Sequence, residues 1–430
     1  MKIRSERKIA CDSVRSEAIA AFLPPHDAHR ASNRQKEGRR LQNRIRRPQT
    51  SDPPDHRQAR AMEAKPHTAR VLVGRLRGAA AACDGAATAA AVAGIRLASK
   101  DDPEIRAPLA DAGAVPLLAA QLSSAAGVDA AAACDGAATA AAVAGIRLAS
   151  KDDPEIRAPL ADAGAVPLLA AQLSSAAGVD AAAALLNISI SARERLVSAP
   201  GLLDALTAAL RTDAAHHAAA TVHSLLCVEA HRATVGARRP LLAALVALLR
   251  AAPSTRATKD ALKALFGAAL YPPNRATLVS LGAVQALFAL VMTDGRNGIM
   301  EDATAVIAQV AGCAESVEAF RWVSGVRILL DLGQGERGRR AALLNLVVAG
   351  GEPAVAEVME VGGAEETVRE LAEDTAASPR GKAKAEALLR ALEGAAGGGR
   401  KREHRLADFL NGLVQSDPYI SSPSSATTHG

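Results

Sequence analysis

The chain has 430 residues, 49% of them hydrophobic and 22% charged, enough apolar mass for a sizeable core. Aromatic residues make up 2%: five Phe, two Tyr and one Trp. Strands draw on aromatic and β-branched side chains, so this composition argues against β-sandwiches and barrels. It also removes the stacking platforms that single-stranded nucleic acid needs. Alanine and leucine carry the apolar mass instead, which favours helix packed on helix.

The net charge of +6 is unevenly spread. Residues 1–60 hold 15 Lys and Arg against 7 Asp and Glu, whereas the rest hold 36 against 38. A nucleic-acid partner would rest on that one segment, and none is expected. The five cysteines (Cys11, Cys83, Cys134, Cys227 and Cys313) form no CxxC pair. They suggest neither a zinc ribbon nor a disulfide framework, and a reducing compartment, cytoplasm or nucleus or both, is expected. No apolar run reaches the ~18 residues of a membrane span, and the N-terminus is charged where a secretory signal is apolar.

In chain order, residues 1–78 read as a disordered basic segment, rich in Arg, Ser, Pro and Gln up to position 61 and without lasting periodicity. Met62 opens a better-behaved stretch, so the segment also reads as a leader ahead of the folded chain. Residues 79–133 are then identical to residues 130–184, both containing CDGAATAAAVAGIRLASKDDPEIRAPLADAGAVPLLAAQLSSAAGVD. Cores tolerate hydrophobic swaps, so perfect identity has no physical requirement and marks a recent duplication or an assembly error.

A weaker repeat lies beneath the duplication. A Gly or Pro opens a Leu-rich helix at Gly113, Gly164, Gly201, Pro240, Gly282, Gly325 and Gly363. Apart from the duplicated step the spacing averages about 40 residues, the period of helical solenoids. In each unit an Asp–Pro pair or its equivalent starts a short helix, and a glycine suited to the left-handed region ends it. A second helix follows with Leu on one face, as at Leu118 and Leu122, Leu203, Leu206 and Leu210, or Leu242, Leu245 and Leu249. A third helix such as VDAAAALLNIS completes the unit. No unit buries its apolar face alone, so neighbours on both sides are required. Residues 394–430 read as a flexible tail, with a glycine-rich break, the basic run RKREHR and a Ser-rich end.

Three phrases carry a family resemblance. AAVAGIRLASKDDPEIRAPLADAGAVPLLAAQLSS, with Arg96, Lys100 and Arg106, resembles the first armadillo repeat of plant U-box E3 ubiquitin ligases. AAAALLNISISARERLV resembles the LLNLSI phrase of that region, and AALLNLVVAGGE its late repeat. The resemblance covers residues 79–393. It implies an all-α, armadillo-type right-handed α-solenoid of about seven three-helix repeats. It implies a protein-interaction scaffold acting in ubiquitylation, with a partner or ubiquitylation substrate on the concave groove. The family's groove residue is the Asn of the third helix, which falls at Asn187 and Asn345, with Gln309 and Cys227 at equivalent positions beside Gly94, Gly145 and Gly267. An amide there can bond both N–H and C=O of an extended peptide.

The U-box, which recruits the ubiquitin-charged E2 in that family, is not recognisable. Its Cys-Pro-Ile and Pro-Val-aromatic phrases are absent from residues 1–78. The resemblance therefore implies no E2 partner for these 430 residues: they read as an adaptor, or as part of an active ligase. Import-type grooves also need regularly placed Trp, and Trp322 stands alone.

The remaining motifs are weak. GQGERG at 333–338 follows a helical phrase where a dinucleotide fingerprint needs a strand, so a loop and no cofactor are expected. His223, Cys227 and His231 have helical spacing, with His216 and His217 nearby, yet a fourth zinc ligand is missing. No catalytic constellation appears at suggestive spacing. Arg400, Lys401, Arg402 and Arg405 form a basic patch that serves as a nuclear localisation signal or a solvated linker.

Overall fold

The computed structural model describes residues 54–396 apart from 83, 127–131, 294–296, 333–336 and 374–378. The chain divides between Glu63 and Ala64, and the packing described here is that of the second unit. Among the described residues every regular element is helical. Two helices lead, α1 (Pro54–Ala81) and α2 (Gly85–Asp101).

Seven triplets follow. The first is α3 (Arg106–Asp111), α4 (Ala114–Ala126) and α5 (Ala132–Asp152), and the second is α6 (Arg157–Asp162), α7 (Ala165–Ala171) and α8 (Gly178–Ser191). The third and fourth are α9 (Arg193–Ser198), α10 (Leu202–Ala209), α11 (Ala215–Leu226), then α12 (His231–Gly236), α13 (Arg239–Ala251) and α14 (Thr255–Ala269). The fifth is α15 (Pro273–Ser280), α16 (Ala283–Thr293) and α17 (Asn297–Val310). The sixth opens with α18 (Ser316–Trp322) and α19 (Gly325–Asp331). Its third helix continues into the first of the seventh as α20 (Arg337–Glu360), bent at Gly351 with φ 58° and ψ −141°. The seventh ends with α21 (Ala364–Glu373) and α22 (Pro379–Ala396).

Third helices stack in series, α2 on α5, then α8, α11, α14, α17, α20 and α22. Second helices form a parallel row, α4, α7, α10, α13 and α16. Each unit therefore touches mainly its neighbours, and burial is shared along one axis. The Leu register falls inward as the spacing predicts: Leu206 and Leu245 are fully buried, and Leu203, Leu210, Leu242 and Leu249 are at most 5% exposed. Each such burial is worth about 1.5–3 kcal/mol.

The helix starts follow the local chemistry. Asp102 Oδ1 accepts from Glu104 N at 3.0 Å, with Pro103 at the first helical position. Its copy Asp153 accepts from Glu155 N at 3.0 Å. Ser254 Oγ caps α14 by accepting from Ala257 N at 3.1 Å. The duplicated segments are not treated alike, however. Asp84 caps α2 by accepting from Ala87 N at 2.9 Å, whereas its copy Asp135 lies inside α5.

At the sixth triplet the left-handed turn residue is Ser324, with φ 53°, and not Gly325. Gly325 is needed for space: a Cβ there would meet Phe288 Cζ at 2.8 Å and Phe320 Cδ1 at 3.2 Å. Those two rings pack edge to face, centroids 5.2 Å apart.

Two expectations change. A basic segment running to residue 78 is too long, because α1 buries Ala69, Val73 and Leu76, at spacings of four and three, in the core. Residues 1–53 lie outside the described residues, as do 397–430 with Arg400, Lys401, Arg402 and Arg405. By length and composition Gly338–Glu360 is apolar enough to cross a membrane. It is nonetheless bent at Gly351 and buries Leu343, Leu344, Leu346 and Val347, the marks of a core helix.

Candidate partner-binding groove

The seven positions aligned on the LLN phrase fall on successive third helices, and most of them face the seam between those helices. A Cβ on Gly145 would meet Val92 Cγ1 at 2.0 Å, and one on Gly267 would meet Leu226 Cβ at 2.9 Å. Glycine there lets two backbones approach closely. Where Asn stands, its amide reaches across the same seam. Asn345 Nδ2 donates to Ala308 O at 2.7 Å, and Asn345 is 2% exposed. Asn187 is half-buried, and its Nδ2 donates to Arg147 O at 3.0 Å and Ser150 Oγ at 3.2 Å. Gln309 is half-buried and accepts from Arg275 Nη2 at 3.4 Å. Cys227 is exposed at the end of α11, with Sγ 3.9 Å from His223 Nε2.

Arginines on the first helices staple this stack along one edge. Arg106 Nε donates to Ser99 O at 3.3 Å and its Nη2 to Asp152 O at 3.0 Å, joining the C-terminal ends of α2 and α5. Arg275 does the same for α14 and α17, with Nε to Ala269 O at 2.8 Å and Nη1 to Gly312 O at 3.2 Å. Arg157 and Arg232 donate to the preceding third helix, at Ser150 O and Leu226 O. A guanidinium suits this place because its forked donors reach two carbonyls at once, and its charge complements helix C-termini. Sequence spacing shows the arginines, but their acceptors are backbone atoms that no side-chain pattern reveals.

The exposed part of the third-helix face is polar at its centre. α11 presents His216, His217 and His223, all half-buried, with the two adjacent rings 3.8 Å apart. Burial pushes His217 down to about 4, helped by the charges of His216, Arg256 and Arg147. Burial also pushes His223 to about 4, helped by Lys263. α14 adds Arg256, Lys259, Asp260 and Lys263, and α17 adds Asp302. Burial raises the carboxyls of Asp260 and Asp302 above the usual range.

His231 does not share the helix face of His223 and Cys227. α11 ends before it, and its ring turns back, with Nδ1 3.1 Å from Leu225 O and Nε2 3.0 Å from Glu194 Oε2. Among the described residues no group of three His, Cys, Asp or Glu is placed to hold a metal. The loop glycines of GQGERG, at 333–336, lie outside the described residues.

Residues 118–390 match the plant U-box protein ARM repeat region. The chain belongs to this family. Relatives of the plant U-box ARM family include U-box domain-containing protein 16 of Arabidopsis thaliana, 29% identical over 292 residues, covering 65% of this chain and 42% of that protein. U-box domain-containing protein 8 of the same plant is 28% identical over 191 residues, covering 43% of this chain and 50% of that protein. U-box domain-containing protein 1 of Medicago truncatula is 34% identical over 126 residues, 18% of its length. The chain thus spans half or less of each of these relatives. Among solved structures, an engineered protein superimposes with a TM-score of 0.61 at 23% identity, covering 82% of this chain and 85% of its own. That likeness speaks to the fold, an all-α armadillo solenoid.

Proposed function

We propose that this member of the plant U-box ARM family is a protein-interaction scaffold acting in protein ubiquitylation, with a partner or substrate held on the third-helix face. The observation that carries the proposal is the solenoid itself. Its third helices form one continuous row from α2 to α22, and that row keeps a half-exposed polar strip at its centre instead of a sealed core. Asn187, Cys227 and Gln309 lie along the same face with some surface open, so they stay in the proposed contact set. Asn345, with its amide committed to Ala308 O, enters only if that bond opens. The test is affinity capture with the full chain and with Asn187→Ala plus Cys227→Ser. Loss of a specific partner is expected, and retention of every partner contradicts groove binding.

A second reading is favoured by length. The chain covers 42% of U-box domain-containing protein 16, so the repeats also fit the substrate-binding part of an active ligase. The 430 residues are proposed not to transfer ubiquitin with an E2. Autoubiquitylation in a reconstituted assay would overturn this. We also propose a cytoplasmic or nuclear location, with Arg400, Lys401, Arg402 and Arg405 as the nuclear signal. Deleting 400–405 from a fluorescent fusion is expected to shift it to the cytoplasm, and an unchanged distribution removes that role.

A further inference from the structure

Arginines at one register tie first helices to the third helix before them. The accepting carbonyl lies seven residues before Arg106 and Arg157, and six before Arg232 and Arg275. Each time it stands at the C-terminal end of the third helix, where carbonyls have no partner within their own helix. The last third helix, α22, ends at Ala396. Six and seven residues before Arg402 stand Ala396 and Ala395. The run 400–405 therefore falls in the sequence where an eighth first helix would begin, with Arg402 at the staple register.

The surface beside that position is complementary in charge. Each of the first six first helices carries an arginine, whereas the seventh, the part of α20 after Gly351, carries Glu352, Glu357 and Glu360 and no Lys or Arg. α22 brings cations of its own, yet residues 352–396 together hold ten Asp and Glu against five Lys and Arg. The run 400–405 holds four Lys and Arg against one Glu. Glu357 is engaged toward the sixth unit, accepting from Arg321 Nε of α18 at 2.8 Å. Met359, two residues on, stands about 160° round the helix from it, and so faces away from α18. Glu352, seven residues before Met359, shares that face. Met359 is 39% exposed, and Glu352 and Glu360 are exposed as well.

We infer that residues 400–405 dock on this open face of the last first helix and close the end of the solenoid. Arg402 donates to the carbonyl of Ala395 or Ala396, where its charge also suits the negative end of α22. The neighbouring cations lie over Glu352 and Glu360. Leu406, Phe409 and Leu410, which follow at helical spacing, cover Met359. The chain's own run is favoured over a separate basic partner by its tether. Three glycines, 397–399, join it to α22, so Arg400 stays within about 14 Å of Ala396 even at full extension, and its effective concentration is high. Docked there, the run is withheld from any outside acidic receptor.

The test is carbodiimide coupling of the full chain, which joins a lysine and a carboxylate in contact into an amide, read by peptide mass spectrometry. Unlabelled chain is mixed with isotope-labelled chain, so that links within one chain are told from links between two. Amides from Lys401 to Glu352 or Glu360 within one chain are expected, and Arg402→Ala should lower their yield about fivefold or more, with Arg402→Lys restoring little of it. The exchange of Lys401→Glu with Glu352→Lys should re-form a link between the two positions. Links from Lys401 that join two chains would assign the face to a second copy and overturn the inference. So would the absence of a Lys401 link to either glutamate, a yield unchanged by Arg402→Ala, or no link in the exchanged pair. The readout is contact within one chain, so it stands or falls apart from groove binding and from where the protein is located.

Discussion

The side-chain amide of Asn345 donates to the carbonyl of Ala308 at 2.7 Å, across the seam between α20 and α17. The aligned Gly145 meets Val92 of the preceding third helix in the same kind of seam. The position that sequence alignment marks as a peptide contact is therefore also a helix-packing position. Glycine fills it by close approach and asparagine by a hydrogen bond to a neighbouring backbone.

Replacing Asn345 by Ala is expected to destabilise the sixth unit by about 1–3 kcal/mol, since a buried bond to a backbone carbonyl is lost. Hydrogen exchange in α17 and α20 reports it locally, which suits a repeat protein that does not unfold as one block. Asn187→Ala, at a half-buried site, should cost less. Equal costs at both positions would contradict the difference in burial.

The duplicated segments make an internal control. Gly145→Ala places a methyl 2.0 Å from Val92 Cγ1, and overpacking of this kind costs about 1–3 kcal/mol. Gly94→Ala, the same residue in the same local sequence, meets Leu72 Cδ2 at 3.4 Å. There the better helix propensity of Ala, worth up to about 1 kcal/mol, decides the sign. Thermal unfolding should shift in opposite directions for the two variants. A shift in the same direction would show that the copies share one environment.

Arg275 is 5% exposed and bridges the ends of α14 and α17. Arg275→Ala removes charge-assisted bonds worth about 1.5–3 kcal/mol each before relaxation, so a loss of about 3 kcal/mol is expected. Arg275→Lys should restore little of it, because an ammonium does not offer the forked geometry. Full rescue by Lys would show that charge alone matters.

Acid should weaken the fold through the central histidines. Burial holds His217 and His223 at about 4, below the ordinary 6.5. Above pH 6.5 both folded and unfolded chains carry neutral rings, and this contribution is complete. Between 6.5 and 4 the unfolded chain takes up protons that the folded chain refuses, so stability falls with pH. Melting temperatures measured from pH 7.5 to 4.5 should drop, and His217→Gln with His223→Gln should flatten the slope. An unchanged slope in the double variant would place the acid sensitivity elsewhere.

Much of the fold is legible in the sequence. Glycine and proline punctuation, and Leu spacing such as Leu203, Leu206 and Leu210, mark helix ends and buried faces because both depend on local chemistry. The boundary near α1 was legible in principle, since Ala69, Val73 and Leu76 keep helical spacing among arginines, but the basic surroundings hid it. The groove was less legible. What Asn345 or Gly145 faces depends on how closely the next helix approaches, a tertiary quantity. The arginine staples bind backbone carbonyls, which carry no side-chain signature. The His–Lys–Arg strip assembles from α11 and α14, about forty residues apart in sequence by the repeat period, and no single motif contains it.

Crosslinking mapped against the two sides of the solenoid addresses the central claim most directly. A photo-crosslinking residue is placed in the full chain at Ala220, half-buried on the third-helix face, or at Ala289, exposed on α16, and is irradiated with the partner recovered by affinity capture. An adduct at Ala220 and none at Ala289 is the predicted result. An adduct at Ala289 and none at Ala220 would contradict recognition through the third-helix groove.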